Sequence, residues 1–210
     1  ICDFLDGKSP TKKESQRTQA LHEYEILDTA AEAEFDRITE IASRVCDMPI
    51  SLISLVDKER QWFKSRVGLD VEETPRDLSF CQYTFTEDRL LEVRDAAEDE
   101  RFKFNSLVTA DPHIRYYVGL PLVDANGFSL GALCVIDRVP RQLDENQKHI
   151  LSLLRDEVVT LITNRREKEK YKENEQKLKA FFDHSQSLMC THDLEGNLIT
   201  VNDAGARLLG

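Results

Sequence analysis

The chain has 210 residues, which allows one large domain or one domain with appendages. Its 39 Asp and Glu residues against 28 Lys and Arg leave a formal net charge of −11, which repels a phosphate backbone and argues against generic nucleic-acid binding. Cys2, Cys46, Cys81, Cys134 and Cys190 are odd in number and include no Cys-x-x-Cys pair, so neither a disulfide framework nor a zinc module is indicated and reduced, mostly buried thiols are expected.

No apolar run approaches the length of a membrane span, and the opening stretch ICDFLDGKSPTKKES lacks an extended apolar segment of the signal-peptide type. A cytoplasmic chain with protein or small-molecule partners is the expectation. Residues up to about Pro10 read as a frayed tail, followed by a charged helix over Thr11 to Ile26 with Leu21 and Tyr24 on one side. Thr29 and Glu32 have the spacing of a capping box, in which the hydroxyl and the carboxylate each accept a hydrogen bond from an orphan amide. Phe35, Ile38, Ala42 and Val45 then recur at helical spacing, and Asp47, Met48 and Pro49 end that helix.

Ile50 to Val56 reads as a strand that is apolar on both faces, and it turns at Asp57 to Arg60 into a return strand. On the return strand, alternation sets Phe63, Ser65 and Val67 on a drier face opposite Trp62, Lys64 and Arg66. A short apolar helix around Leu78 to Phe85, a strand around Leu90 to Arg94 and an irregular stretch through Phe102, Phe104 and Leu107 come next. A second hairpin, YVGLPLVDANGFSLGALCVIDRVPR, turns at Asp124 to Gly127, where Asn-Gly supplies the positive φ angles of a tight reversal. Leu130, Ala132, Cys134 and Ile136 alternate there with Gly131, Leu133 and Val135, again apolar on both faces. A sheet covered on both sides can enclose a pocket.

From Asp144 the period becomes helical, with an apolar stripe of Ile150, Leu151, Leu154, Val158, Leu161 and Ile162. The stripe stops at the charged run RREKEKYKENEQK, Arg165 to Lys177, and returns at Leu178, Phe181 and Phe182. A helix from Asp144 to Asp183 would be about 60 Å long at the usual rise per residue, too long for the interior of one small domain. It reads as either a solvated spacer or the stem of a parallel homodimer.

The capped helix, SLISLVDKERQWFKSRVGLD, TPRDLSFCQYTF, DPHIRYYVGLPLVDANGFSLGALCVIDRVPR and the terminal helix, in that order, resemble the GAF domains of bacterial signalling proteins. The resemblance implies an α+β fold, with a central antiparallel sheet, a ligand pocket on one face and a bundle of the first and last helices on the other. The tail FFDHSQSLMCTHDLEGNLITVNDAGARLLG resembles the start of a PAS domain, with strands at Leu188 to His192 and Leu198 to Val201 and a helix capped by Asn202. The expected organisation is a tail over 1–19, a GAF domain over 20–163, a charged linker helix over 164–180 and an incomplete PAS segment over 181–210. About thirty residues are too few for a PAS core, so continuation of the parent protein into PAS and output domains is expected. The arrangement resembles sensor histidine kinases, with diguanylate cyclases as the other common output.

No acid/base cluster, nucleotide-binding glycine motif or metal site is recognisable, so neither a catalytic residue nor a cofactor is assigned and the partner is an unidentified small molecule. Asp57 and Asp137 end apolar strands, where carboxylates satisfy turn amides. His149, His184 and His192 lack the sequence context of a kinase phosphoacceptor. The resemblance places Cys81 and Cys134 beside one pocket, with Cys46 as a third candidate. It also brings in the free-methionine-sulfoxide reductases, GAF proteins that use cysteines, as an alternative thiol-dependent reading; a ligand-free dimerisation module is the third. His113 and Arg115 are candidates for an anionic ligand group, with turn and surface roles as the plainer reading. Trp62, Phe80, Tyr83, Phe85, Tyr116 and Tyr117 are candidate pocket walls, with core packing as the plainer reading.

Overall fold

A computed structural model of the chain describes residues 12–86 and 90–209. Helices α1 (Lys12–Glu23) and α2 (Ala33–Cys46) precede the hairpin β1 (Ile50–Val56) and β2 (Arg60–Val67). The expected tail up to Pro10 and the helix start at Thr11 lie outside the described residues. A short strand β3 (Glu73–Pro75), two 3-10 helices (Arg76–Leu78 and Cys81–Thr86), β4 (Leu91–Val93) and the single turn α3 (Ser106–Thr109) follow. The second hairpin is β5 (Tyr116–Val123) and β6 (Ser129–Asp137), and it leads into α4 (Glu145–His184). Two small strands, β7 (Cys190–His192) and β8 (Leu198–Val201), and α5 (Asp203–Leu209) complete the described chain.

The first six strands form one antiparallel sheet in the order β3-β2-β1-β6-β5-β4, so both double-sided apolar strands are its centre. Every residue of β1 is buried. Ile53, Leu55, Val118, Leu133 and Val135 pack on one face against Leu21, Phe35, Ile38 and Ala42 of the first two helices and Leu151, Val158 and Ile162 of α4. The other face carries Ile50, Leu52, Phe63, Tyr117, Cys134 and Ile136 under Phe80, Phe102 and Ile114. Antiparallel pairing of β1 with β6 lines up Leu52 with Cys134 and Ile53 with Leu133, so the period of two puts one whole set on each side.

Lys64 overturns two sequence expectations. The register shifts between Ile53 and Ser54, which leaves Lys64 bulged; Ser65 then pairs with Ile53 and joins Trp62 on the helix side, where its hydroxyl meets Thr39 at 2.7 Å. Strict alternation over β2 is therefore lost, and the expected wet face is dry because Trp62 and Lys64 are both buried. The Lys64 ammonium donates to Thr29 Oγ1 (2.8 Å), Ala30 O (2.8 Å) and Glu32 Oε1 (2.6 Å). A buried ammonium needs acceptors for its three hydrogens. It takes them from the residues of the expected capping box, so α2 begins at Ala33 with Glu32 extended and no side-chain cap.

The expected apolar helix at Leu78 to Phe85 is two 3-10 turns separated by an extended Ser79. That break lets Phe80 turn inward and stack on Phe102, with ring centroids 4.0 Å apart. In the second hairpin Gly127 has φ 82° and Asn126 is not left-handed, so only half of the expected Asn-Gly signature is used. Asp124 replaces the other half by accepting from the amides of Asn126 and Phe128, and the register shifts between Leu122 and Val123.

The chain divides into two compact units, with the boundary between Thr163 and Asn164. In the second unit Asn202 binds the chain around it: its Oδ1 accepts from the amides of Met189 (3.0 Å) and Gly205 (3.0 Å), and its Nδ2 donates to Ser185 O and Ser187 O. It thus joins β7, β8 and the start of α5, as the expected cap does. No helix among the described residues is long and apolar enough to cross a membrane.

Candidate functional site

Between the sheet face opposite the helix layer and the segments that cover it lies a cavity of about 360 Å3. Leu52 and Phe63 form its floor with Tyr117, Cys134 and Ile136, while Phe80, Cys81, Leu107 and Ile114 form the covering wall. Val71, Asp111 and Arg138 stand on its border and are exposed, so the cavity reaches solvent there. Its few polar groups include Gln61, Thr74 and Ser79; Ser79 Oγ donates to Gln61 Oε1, whereas the buried Thr74 Oγ1 has no hydrogen-bond partner among the described residues. A chamber of this size with a mainly apolar floor and wall suits a small, largely apolar molecule.

Cys81 and Cys134 meet at the back of this cavity with their sulfurs 4.0 Å apart. The Tyr117 hydroxyl donates to Cys81 Sγ at 3.2 Å. Gly119, paired with Cys134 on the neighbouring strand, has no side chain to block that reach: a Cβ there would lie 2.2 Å from the Tyr117 oxygen. The hydrogen bond with Cys134 holds the Cys81 thiol below its ordinary value against burial, helped by the Tyr117 hydroxyl. The partner goes the other way, since Cys134 is raised by its hydrogen bond with Cys81, by burial and by the Cys81 charge. Burial, then the nearby thiolate charge, raises Tyr117 as well. Cys81 is the sulfur with a hydroxyl donor, Tyr117, that would steady its anion.

Of the candidate residues, Phe80, Cys81, Tyr117 and Cys134 border this one cavity. Tyr83 packs edge-on against Phe102, its ring centroid 4.9 Å away, and Phe85 lies under the Arg17 guanidinium at 4.8 Å. Trp62 faces the helix layer, because its position on β2 has the opposite parity to Phe63. Cys46 is on α2 in that same layer, across the sheet from the other two thiols, and burial followed by the charge of Asp144 pushes its thiol up to about 11. His113 is exposed at the turn closed by its own amide on Ala110 O. Arg115 is engaged in a two-point ion pair with Asp95, at 2.7 and 2.6 Å, which leaves its fork committed to the protein.

A second constellation escaped the sequence reading. Tyr116, next to Tyr117 and therefore on the opposite face of β5, donates to Glu92 Oε1 at 2.7 Å. The amide of Leu143 donates to the same carboxylate oxygen at 3.1 Å, and Lys148 on α4 lies 3.4 Å from Glu92 Oε2. Burial works to raise the Glu92 carboxyl, but the bonds from Tyr116 and Leu143 and the charge of Lys148 outweigh it and hold it below 4.5. The root of α4 is thereby fastened to the strand that also borders the cavity. The two adjacent tyrosines were the one available signal, because alternation sends neighbours on a strand to opposite faces.

Comparison with known proteins agrees with this architecture. The GAF domain family matches residues 30–162, and the PAS domain family matches residues 176–210. A cyclic di-GMP phosphodiesterase of Pseudomonas aeruginosa is 43% identical over 128 residues, which are 61% of this chain and 22% of that protein. The chain thus spans about a fifth of the length of this curated relative. Among solved structures, a domain described as belonging to a two-component sensor histidine kinase protein of Sinorhizobium meliloti 1021 is similar with a TM-score of 0.53 and 14% identity, covering 69% of this chain and 99% of that one. The free methionine-R-sulfoxide reductase of Neisseria meningitidis, solved with its substrate, has a TM-score of 0.53 and 16% identity over 76% of this chain and 95% of its own. At such identities the likeness is one of fold. With the family match covering most of the chain and the sheet, helices and cavity arranged as described, the chain belongs to the GAF domain family, followed by a segment that matches the PAS domain family.

Proposed function

We propose that the first unit is a ligand-responsive input domain of a signalling protein, with α4 as its output. The observation that carries this reading is the pair Tyr116 and Tyr117. One hydroxyl reaches the thiol at the back of the cavity and the other reaches the carboxylate that fastens the start of α4, from adjacent positions on one strand. A molecule that displaces Tyr117 shifts β5, and the shift arrives at Glu92 and Leu143. The mechanism is a population shift: a ligand that binds one setting of β5 more tightly biases the setting of the α4 root by its difference in affinity.

The occupant is a small, mostly apolar molecule. Denaturing the purified chain and examining released compounds by mass spectrometry is expected to yield one dominant species near one per chain. Leu69 also lines the cavity, and Leu69→Trp, which adds bulk there, is expected to lose it. If no compound co-purifies and none added raises the melting temperature of the wild type, the cavity is not a ligand site.

We assign α4 as a parallel dimer stem. Its exposed apolar residues Leu153, Tyr171, Leu178 and Phe181 all fall on a and d positions of one heptad frame, while Glu157, Thr160, Asn164, Glu167 and Asn174 occupy the positions between. A seam so polar holds weakly, which lets two registers differ by little free energy and suits a switch. Sedimentation equilibrium is expected to give twice the chain mass for the wild type and the single chain mass for Leu178→Lys combined with Phe181→Lys; a monomeric wild type removes the stem.

The PAS segment that follows α4, and the fold shared with a sensor histidine kinase domain, support phosphotransfer by a histidine kinase as the output. The 43% identical relative supports cyclic di-GMP turnover as the second reading.

A further inference from the structure

The ligand reading uses Cys81 as the partner of the Tyr117 hydroxyl but gives no role to its contact with Cys134. Cys81 and Cys134 are each 1% exposed and lie 4.0 Å apart, yet both border a cavity that opens past Val71, Asp111 and Arg138. A small oxidant can enter without unfolding the sheet. The other described thiols have no such partner: Cys46 is across the sheet, and Cys190 is an exposed residue of the second unit.

We propose that Cys81 and Cys134 are a reversible dithiol switch that closes to a disulfide when a hydroperoxide enters the cavity. The proposal rests on the reading of the first unit as an input domain and names a second input to it. The Cys81 thiolate attacks one peroxide oxygen, forming an S–O bond and breaking the O–O bond, and the departing oxygen leaves as water or an alcohol after taking a proton. The Cys134 sulfur then attacks the sulfenic sulfur of Cys81, forming the S–S bond; the S–O bond breaks and hydroxide leaves as water with the Cys134 proton. Two thiols lose two electrons and the hydroperoxide gains them. An external thiol reverses the step by exchange.

The order of events follows from the surroundings. Cys81 accepts from the Tyr117 hydroxyl, which would steady its anion and makes it the attacking group, while Cys134, held in the middle of β6, is the group that resolves the sulfenic acid. Closure shortens the sulfur separation from 4.0 Å to the length of a disulfide, about 2.05 Å, and so draws the 3-10 helix Cys81–Thr86 toward β6. It also replaces the thiol acceptor of the fully buried Tyr117 hydroxyl with a poorer one, a disulfide sulfur. Tyr117 then has reason to move, and β5 moves with it.

The test uses the full chain treated with hydrogen peroxide, alkylated, digested without reduction and mapped by mass spectrometry. The expected result is a peptide pair joined through Cys81 and Cys134, two mass units lighter than the separate peptides, approaching one per chain and abolished by dithiothreitol. Cys134→Ser is expected to stop at a Cys81 sulfenic acid trapped by dimedone. Should that variant fail to fold, the wild-type map decides alone. Linkage through Cys46 or Cys190 instead, oxidation of Cys81 without linkage, or no reaction at tenfold peroxide would overturn the proposal. So would continuous turnover of free methionine sulfoxide far beyond the protein concentration, because that is a catalyst and not a switch. Failure of any compound to co-purify counts against the ligand reading alone, and absence of the joined peptide counts against the thiol pair alone.

Discussion

Gly131→Ala is expected to abolish cooperative folding of the first unit. A Cβ at this position on β6 would lie 1.9 Å from the carbonyl oxygen of Ser54 and 2.8 Å from the Cα of Leu55. Both atoms are main chain of β1, the central strand paired with β6 over Ile50 to Leu55. A side chain can rotate away from a clash, but two hydrogen-bonded central strands can separate only by giving up their ladder and the packing on both faces. The expected loss is more than about 4 kcal/mol, in the range reserved for strain that a core cannot relax. Urea unfolding followed by circular dichroism measures it. Gly127→Ala is the control, since nothing lies within 4 Å of its Cβ and only its φ of 82° is strained; about 1 kcal/mol is expected there. A Gly131→Ala protein within about 1 kcal/mol of wild type would mean that β1 and β6 are not paired as described.

Glu92→Ala is expected to release the root of α4 while leaving the cavity in place. Tyr116 is fully buried, and without Glu92 its hydroxyl has lost its acceptor. An unsatisfied buried hydroxyl costs about 1–3 kcal/mol, and loss of the Leu143 and Lys148 contacts adds to that. The expected destabilisation is about 2–3 kcal/mol, with faster amide exchange from Leu143 to Ile150 and unchanged occupancy of the cavity. Unchanged exchange in that stretch would show that the carboxylate does not fasten the helix.

The same residue sets an acid limit. The folded Glu92 carboxyl lies below its ordinary value of 4.5, and so does Glu14, where hydrogen bonds from Arg17 and Arg76 outweigh a burial that acts to raise it. A carboxyl lowered in the folded state contributes stability that is fully present above the unfolded value and is lost as pH falls through the folded one. Stability of the wild type is therefore expected to be insensitive to these groups near neutrality and to decline below about pH 4.5. The decline in Glu92→Ala should be shallower, because one of the protons taken up on unfolding at low pH has been removed from the balance.

The two-sided apolar strands, the helix ending at Asp47 to Pro49, the long terminal helix and the Asn202 cap were all legible in the sequence. Each is a local pattern: period two, period 3.6, a proline that cannot donate, a side chain that reaches its own neighbourhood. Apolar strands on both faces were enough to announce a covered sheet, and the quoted GAF segments were enough to name its architecture. The pocket was legible only in part. Phe80, Cys81, Tyr117 and Cys134 came together as expected neighbours, while Trp62 and Cys46 went to the other face.

Tertiary structure decided what local pattern could not. Lys64 found three acceptors thirty-odd residues away, and its burial both bulged β2 and dismantled the capping box at Thr29. A buried charge must be satisfied wherever its acceptors are, so a distant contact overrode two local preferences at once. The meeting of Cys81 with Cys134 and of Tyr116 with Glu92 and Leu143 likewise depends on chain crossings of 53, 24 and 27 residues. Residue order alone states that these groups exist; only the folded sheet sets two adjacent tyrosines on opposite faces, one beside the cavity and one at the helix root.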